Sequence, residues 1–397
     1  MELFGKATRT GPRKSGILPA QDIRDLVASG RIGSGAEVSE DQIQPASIDL
    51  RLGRKAYRVE ASFLPNKQSL IGPKIRERLL DEIDLSEPAL LMPDNVYIAS
   101  LMEYLSLPSD ISALANPRST TGRLDIFTRL MTEGQSQFEV VEQGYDGDLY
   151  VEIVPRSFPI IVRAGTRLNH LRFFRGEREV VDDEQVRKMA QKRPLVYDEN
   201  GESPKKPVLN QGLRVSIDLS GAGHAIAAYK SKRSGEPIDL AKIGAYRVAD
   251  FWETFDAHSL RRGLVLMPGD FYLLGSKEPV TVPPDYAGEM VAYDPSIGEF
   301  TVHYAGFFDP GFGFGANGEI KGTRVVLEVR AHEIPILLED GQDVGRLTYY
   351  KMAERPEKIY GQAIGSSYQQ QGLALTKQFK PPSFEMALPA PVTATRC

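Results

Sequence analysis

Cysteine is almost missing from this sequence of 397 residues, whose one thiol, Cys397, is the last residue. A single thiol excludes an intrachain disulfide framework and any zinc site built on paired cysteines. Histidine is scarce as well. His170, His224, His258, His303 and His332 stand apart, with no HxE or HExxH pairing, and are read as structural. Trp252 is the lone tryptophan. No stretch of about 18 apolar residues occurs, and Met1–Gly16 is basic and polar without an apolar core. The expectation is a soluble cytoplasmic protein with no membrane partner. Excess positive charge is lacking too: the net charge is −5 and the pI about 5.7. No global basic field exists to hold a nucleic-acid backbone, so an anionic ligand needs a local cluster of Arg and Lys. The phosphate-loop pattern GxxxxGK[ST] is absent. Gly313–Gly318 formally fits GxGxxG, but a strand-like run follows where a helix is required, so the dinucleotide reading fails.

What is present is an ordinary globular composition, 41% hydrophobic and 25% charged, long enough for two or three compact units. Short β-branched or aromatic stretches dominate: Val96–Leu101, Leu149–Val154, Ile160–Val162, Leu168–Phe174, Val280–Val282, Thr323–Val329 and Val344–Tyr350. Helical spacing is rarer. Gln21–Ser29 carries Ile23, Leu26 and Val27 on one face and stops at Gly30, while Lys74–Ile83 and Asp183–Gln191 have one apolar stripe each. The fold class is mainly β, with a few short helices.

An internal repeat organises the chain. Ser47-Ile48-Asp49-Leu50 recurs as Ser216-Ile217-Asp218-Leu219, 169 positions on. Leu91-Met92-Pro93 recurs as Leu266-Met267-Pro268, with Tyr97, Pro108 and Asp110 matching Tyr272, Pro283 and Asp285, all offset by 175. Glu152, Pro159, Gly165 and Leu171 match Glu328, Pro335, Gly341 and Leu347 at an offset of 176. A slowly drifting offset held in order implies duplication. One copy spans about 16–180 and the other about 208–375, joined by a charged Gly/Pro-containing linker at 199–207. Residues 381–397, rich in Pro, Ala and Thr, read as a disordered tail.

Four segments can carry chemistry. Asn116-Pro117-Arg118-Ser119-Thr120-Thr121-Gly122-Arg123 packs two guanidiniums, three hydroxyls and a glycine into eight residues, a set suited to phosphate. Its plainer reading is a helix start with solvated arginines. Copy two places Asp294 opposite Ser119 and Gly298 opposite Arg123, and that asymmetry favours function in copy one. Glu152 lies between Tyr150 and Val154 on one strand face, and burial there would raise its pKa toward that of a general base. It also reads as an ordinary exposed strand residue, and Glu328 has the same flanking pattern. The turns Val141–Gly147 and Gly306–Phe312 each set an acid, Glu142 or Asp309, three residues before an aromatic, Tyr145 or Phe312. Such a turn holds a ring beside a carboxylate, for a sugar or a base, or is simply a hairpin with a core aromatic. Finally, Tyr360…Tyr368-Gln369-Gln370-Gln371-Gly372 lacks apolar periodicity, and suits either a segment that orders over a polar ligand or plain disorder.

Ala46–Gly53 (ASIDLRLG), the Arg118–Arg123 loop (RSTTGR), the Val151-Glu152 strand and the Gln370-Gln371-Gly372 tail resemble the dCTP deaminase family. That family shares its fold with trimeric dUTP pyrophosphatases. The resemblance covers copy one almost throughout and copy two in skeleton, as in the long, duplicated bacterial form. It implies two tandem distorted β-barrel or jelly-roll units, with nucleotide sites between neighbouring units of a threefold assembly. It also implies that Glu152 activates the water that attacks C4 of cytosine, that Ser119 and Arg123 fix that water, and that Arg118 binds phosphates with the amides of Thr120, Thr121 and Gly122. Glu142, Tyr145, Asp309, Phe312, Tyr360, Tyr368, Gln370 and Gln371 would complete the nucleotide site. Mg²⁺ would ride on the triphosphate with no protein metal cage, and no zinc is implied. The absence of the H-x-E…P-C-x-x-C signature agrees with that.

Copy one departs from the family with Glu142 where an Asp is usual, and copy two lacks the Ser and Arg of the loop. Two site arrangements follow: one within copy-one units around Glu152, the other composite, with Glu328 as alternative general base. Deamination of dCTP to dUTP and ammonia is the first expectation. Alternatives are dUTP pyrophosphatase activity, alone or combined with deamination, and a silent nucleotide-binding protein. By analogy the chains associate, most simply as a homotrimer of six units.

Overall fold

The computed structural model describes residues 14–380 apart from 67–69, 199, 205–206, 222–224, 234, 293–299, 304–305, 332 and 362–367. The expected tail, part of the linker, and Asp294 and Gly298 therefore lie outside the described residues. In chain order the first unit is built on β1 (Ile48–Val59), β2 (Val96–Ser106), β3 (Ile111–Pro117), β4 (Ile126–Thr132), β5 (Val140–Val141), β6 (Asp146–Pro155) and β7 (Arg167–Arg175). The second uses β8 (Leu213–Asp218), β9 (Phe271–Val280), β10 (Tyr286–Ala292), β11 (Phe300–His303), β12 (Phe307–Phe308), β13 (Thr323–Ala331) and β14 (Asp343–Lys351). Hydrogen bonding orders the first set β4-β6-β2-β1-β7-β3-β5, and the second β11-β13-β9-β8-β14-β10-β12. The two paths are the same, so the repeat in sequence is a repeat in topology. Small details recur with it: Tyr97 Oη accepts from Met92 N at 2.9 Å, and Tyr272 Oη from Met267 N at 3.2 Å.

One repeat match fails. Leu171 pairs with Ile48 in the first unit, whereas its counterpart Leu347 pairs with Leu213 in the second. Asp49 therefore corresponds to Arg214, and Asp218 to Gly53. The likeness of the two SIDL segments is a coincidence four residues out of register. Strand register is set by which face packs inward, and here the buried Glu103 and the half-buried Glu278, which accept from the amides of Arg51 and Ser216, mark the true correspondence.

Five α-helices are described, α1 (Ala20–Ala28), α2 (Ile71–Arg78), α3 (Ser119–Arg123), α4 (Asp183–Lys192) and α5 (Val248–Phe251), besides a 3-10 turn at Glu40–Gln42. The amphipathic α1 buries Ile23 and Leu26. It ends where Gly30, at φ +71, lets Gly30 N reach Val27 O and Arg31 N reach Leu26 O, a Schellman closure that needs a left-handed residue. Asp182 caps α4, accepting from Gln185 N at 2.7 Å. The helix expected over Lys74–Ile83 is corrected: α2 stops at Arg78, and Leu79–Asp84 pairs antiparallel with β1 as a strand. Pairing with a sheet edge outweighs helical spacing there. Of Val280–Val282, only Val280 is in a strand.

The units share a core. Phe158, Val151 and Ile160 of the first pack in one cluster with Phe251, Trp252, Phe271 and Phe379 of the second. Ala89–Leu91 pairs with Ile160–Val162, and the second unit adds Ile238–Asp239 in parallel as a third strand. Among the described residues no helix is long and apolar enough to cross a membrane.

Candidate functional site

A cleft of about 990 Å³ runs between the units. Its first wall is the turn from β3 into α3. Pro117 ends β3, Arg118 sits extended in front of the helix, and the short α3 stacks Ser119 to Arg123 along the cleft. Thr121 Oγ1 donates to Leu168 O at 2.7 Å, which ties the turn to β7. The floor beside it is charged. Asp49 on β1 is buried, and Arg118 and Arg167 stand 3.3 and 3.8 Å from its carboxylate. Lys377 faces the same space. Burial holds the Lys377 ammonium below its ordinary value, and the neighbouring Arg118 and Arg167 depress it further. Three crowded cations around one carboxylate form the local positive cluster that the acidic chain needs to hold an anion.

The opposite wall comes from the second unit. Glu328, central in β13, opens onto the cleft and is buried. Loss of hydration pushes its carboxyl up to about 8; the Arg123 guanidinium pulls it down and Asp125 adds to the rise. The turn after β12 brings Asp309 and Phe312. Burial pushes Asp309 up to about 6, although Arg172 of the first unit, 3.4 Å away, opposes this. Phe312 meets Phe308 edge-on at 4.9 Å and Tyr360 at 5.5 Å.

The C-terminal segment closes the third side. Tyr368 lays its ring 3.9 Å from the Arg123 guanidinium and hydrogen-bonds Thr120 at 3.2 Å. Arg123 Nη1 also donates to Gln371 Oε1 at 2.9 Å and to Ala374 O at 2.7 Å. The guanidinium is thus held by three partners at the edge of the cleft.

The residues singled out in sequence divide cleanly. Arg118, Ser119, Thr120, Thr121, Gly122, Arg123, Asp309, Phe312, Glu328, Tyr360, Tyr368 and Gln371 line one cleft. Gln370 is exposed beside it, donating its amide to Thr323 Oγ1 at 3.2 Å. Glu152, Glu142 and Tyr145 are elsewhere. Glu152 is buried in the first unit against Arg129 at 2.6 Å. Glu142 lies exposed on a turn, and Tyr145 is a core ring whose hydroxyl donates to Asp148 O at 2.7 Å. Within the chain, Ser119 and Arg123 therefore meet Glu328 and not Glu152. Sequence reasoning missed Arg167, Lys377 and His170 as cleft residues. His170 packs on Phe307 at 5.0 Å, with its pKa well lowered by burial and by Arg172 and Arg118. A lone histidine carries no spacing signal, and Lys377 reaches the cleft only through a fold across the whole chain. Among the described residues, no group of three or more His, Cys, Asp or Glu is placed to hold a metal ion.

Comparison with known proteins adds to this geometry. Residues 14–177 match the family model of the 2'-deoxycytidine 5'-triphosphate deaminase N-terminal domain, and residues 182–379 that of its C-terminal domain. A dCTP deaminase of Sulfurisphaera tokodaii is 29% identical over 159 residues, covering 40% of this chain and 79% of that protein. A dUMP-forming dCTP deaminase of a Parafrankia species is 30% identical over 163 residues, covering 40% and 76%. The crystal structure of 2'-deoxycytidine 5'-triphosphate deaminase from Agrobacterium tumefaciens superposes with a TM-score of 0.82 at 48% identity, covering 89% of this chain and all of that one.

Proposed function

The chain belongs to the dCTP deaminase family, and from that premise we propose that it hydrolyses dCTP to dUTP and ammonia in the inter-unit cleft, with Glu328 as the general base. The observation that carries this reading is the meeting of Glu328 with Ser119 and Arg123 in one cleft, while Glu152 is sequestered against Arg129.

The chemistry needs a group able to take and return protons near neutral pH, and a carboxyl near 8 is suited to that. Ionised Glu328 takes one proton from water as the water oxygen bonds to C4, and passes it to N3 of the ring. The second water proton then travels through the same carboxyl from the new C4 hydroxyl to the exocyclic amine. The C4–N bond breaks, ammonia leaves, C4 becomes a carbonyl and Glu328 returns to its starting state. Ser119 accepts or donates a hydrogen bond to the attacking water, and Arg123 holds charge developing at C4–O. Arg118, Arg167 and Lys377 hold the triphosphate, whose Mg²⁺ enters with the substrate. Asp309 takes the sugar hydroxyl beside the Phe312 ring.

A second reading is supported by Asp309, a partly neutralised acid in the same cleft: a further hydrolysis of dUTP to dUMP and pyrophosphate at that carboxyl. We also propose a cytoplasmic enzyme whose chains associate as a trimer; a fully active monomer by mass measurement would remove the last point.

The test is incubation with dCTP and Mg²⁺, chromatography of the nucleotides and an ammonia assay. The expected result is dUTP with equimolar ammonia, abolished in Glu328→Gln and retained in Glu152→Gln. The opposite mutant pattern would move the site to the first unit. Release of dUMP would add the second step, and no turnover of dCTP or dUTP would leave a binding protein.

A further inference from the structure

Beneath the cleft lies a buried ion pair that no part of the reaction uses. Asp125 follows α3 by two residues and sits in a left-handed turn at φ +56, where its amide donates to Gly122 O at 2.8 Å. Arg330 lies two residues beyond Glu328 on β13, so strand alternation sends both side chains to the same face. Arg330 Nε donates to Asp125 Oδ1 at 3.1 Å and Nη2 to Oδ2, a bidentate fork between units. The remaining guanidinium nitrogen, Nη1, donates to Gly269 O at 2.5 Å. Ser157 Oγ adds a bond to Asp125 Oδ2 at 2.6 Å and rests 3.0 Å from Ser231 Oγ of the second unit. Asp125 is fully buried and Arg330 nearly so.

A charged pair this dry stabilises little beyond what apolar side chains of the same size would contribute, but it tolerates one geometry only. That geometry is the one that matters for the cleft. Asp125 is joined by two peptide links to Arg123, and Arg330 by two to Glu328, so the fork is a short strut between the two walls. We propose that Asp125 and Arg330 are positioning residues that set Glu328 against Arg123 for the chemical step, without contacting the nucleotide. This rests on the reading of Glu328 as the base. The charges facing Glu328 agree with it: Arg123 pulls its pKa down and Asp125 pushes it up, so the strut also helps to set how much of the carboxyl is ionised.

The experiment compares four variants of the full chain with the parent, measuring kcat and KM for dCTP by ammonia release, the pH profile of kcat/KM, and thermal unfolding. They are Asp125→Asn, Arg330→Lys, Ser157→Ala and Glu328→Gln. Asp125→Asn and Arg330→Lys are expected to lower kcat about 30- to 100-fold while KM changes less than threefold, a split that mere loss of folded protein does not mimic in an active-site-titrated sample. Ser157→Ala removes the hydroxyl that braces the fork, with its bonds to Asp125, Ser231 and Arg330, and leaves the two charged side chains in place, so it stays folded; it is expected to lower kcat about three- to tenfold and move the apparent pKa of the base. If Asp125→Asn and Arg330→Lys do not fold, Ser157→Ala alone decides. Parent-like kcat and pH profile in the folded variants, with Glu328→Gln inactive, would overturn the strut while leaving the base in place. An active Glu328→Gln would overturn the reading beneath it.

Discussion

Arg129 holds Glu152 across neighbouring strands: its guanidinium lies 2.6 Å from the carboxylate and is stacked 3.6 Å over the Phe138 ring. Glu328 occupies the matching place in the second unit and opens onto a cleft. Duplication has thus produced two copies of one strand position with different neighbours, one carboxyl paired with a cation inside its own unit and the other facing the cleft. Arg129→Met should leave ammonia release within twofold of the parent. It should lower stability by about 1–2 kcal/mol, less than for a fully buried pair because the arginine is partly exposed. Parallel denaturant titrations and activity assays check both halves.

Activity should follow the ionisation of Glu328. The base form is the carboxylate, so kcat/KM is expected to rise about tenfold per pH unit below 8 and level off above it. A profile flat from pH 6 to 9 would contradict this.

The same shift acts on stability with a definite sign. Between the ordinary glutamate value and about 8, native Glu328 keeps a proton that the unfolded chain has already lost. The unfolded state then binds fewer protons, so stability falls as pH rises through that window. Glu328→Gln removes the term, and its melting temperature should exceed that of the parent at pH 8 but not at pH 4.

Asp309→Asn keeps the size of the side chain and removes a charge from beside Arg172. If the acid holds the sugar hydroxyl, KM for dCTP should rise about tenfold with kcat changed less, and any release of dUMP should stop altogether. Steady-state kinetics with product chromatography separates the two effects.

Arg172 is fully buried and donates to Gly288 O at 2.9 Å and to Phe308 O at 3.2 Å, besides Asp309. Arg172→Met strips cleft and interface of these donors together. A loss of about 3 kcal/mol is expected in urea titrations.

Much of this was legible in the sequence because it is local. Arg118–Arg123 is one continuous turn, and its chemistry is written in adjacent letters. The spacing of Tyr97 and Tyr272 survives because each accepts from the same backbone amide in both units, and that of Glu152 and Glu328 because each holds the same place on its strand. The composite cleft is one of two arrangements the sequence allows, and the letters alone do not choose between them. It depends on residues some two hundred positions apart meeting across an interface, and local patterns carry no term for that. The SIDL segments misled for the related reason that four matching letters say nothing about which strand face packs inward. Glu142 and Tyr145 share with Asp309 and Phe312 an acid set three residues before an aromatic, yet of these four only Asp309 and Phe312 line the cleft with α3.

The third strand of the small sheet has a further consequence. Ile238 donates its amide to Pro159 O at 2.9 Å, and Leu240 to Ile161 O at 3.2 Å, so the edge Ile160–Val162 is finished by residues made much later. On the ribosome this edge waits for its own downstream chain for roughly ten seconds at typical elongation rates. Through that interval it is a bare template on which a neighbouring nascent chain can pair, and a chain arrested before Ile238 would carry the exposed edge permanently.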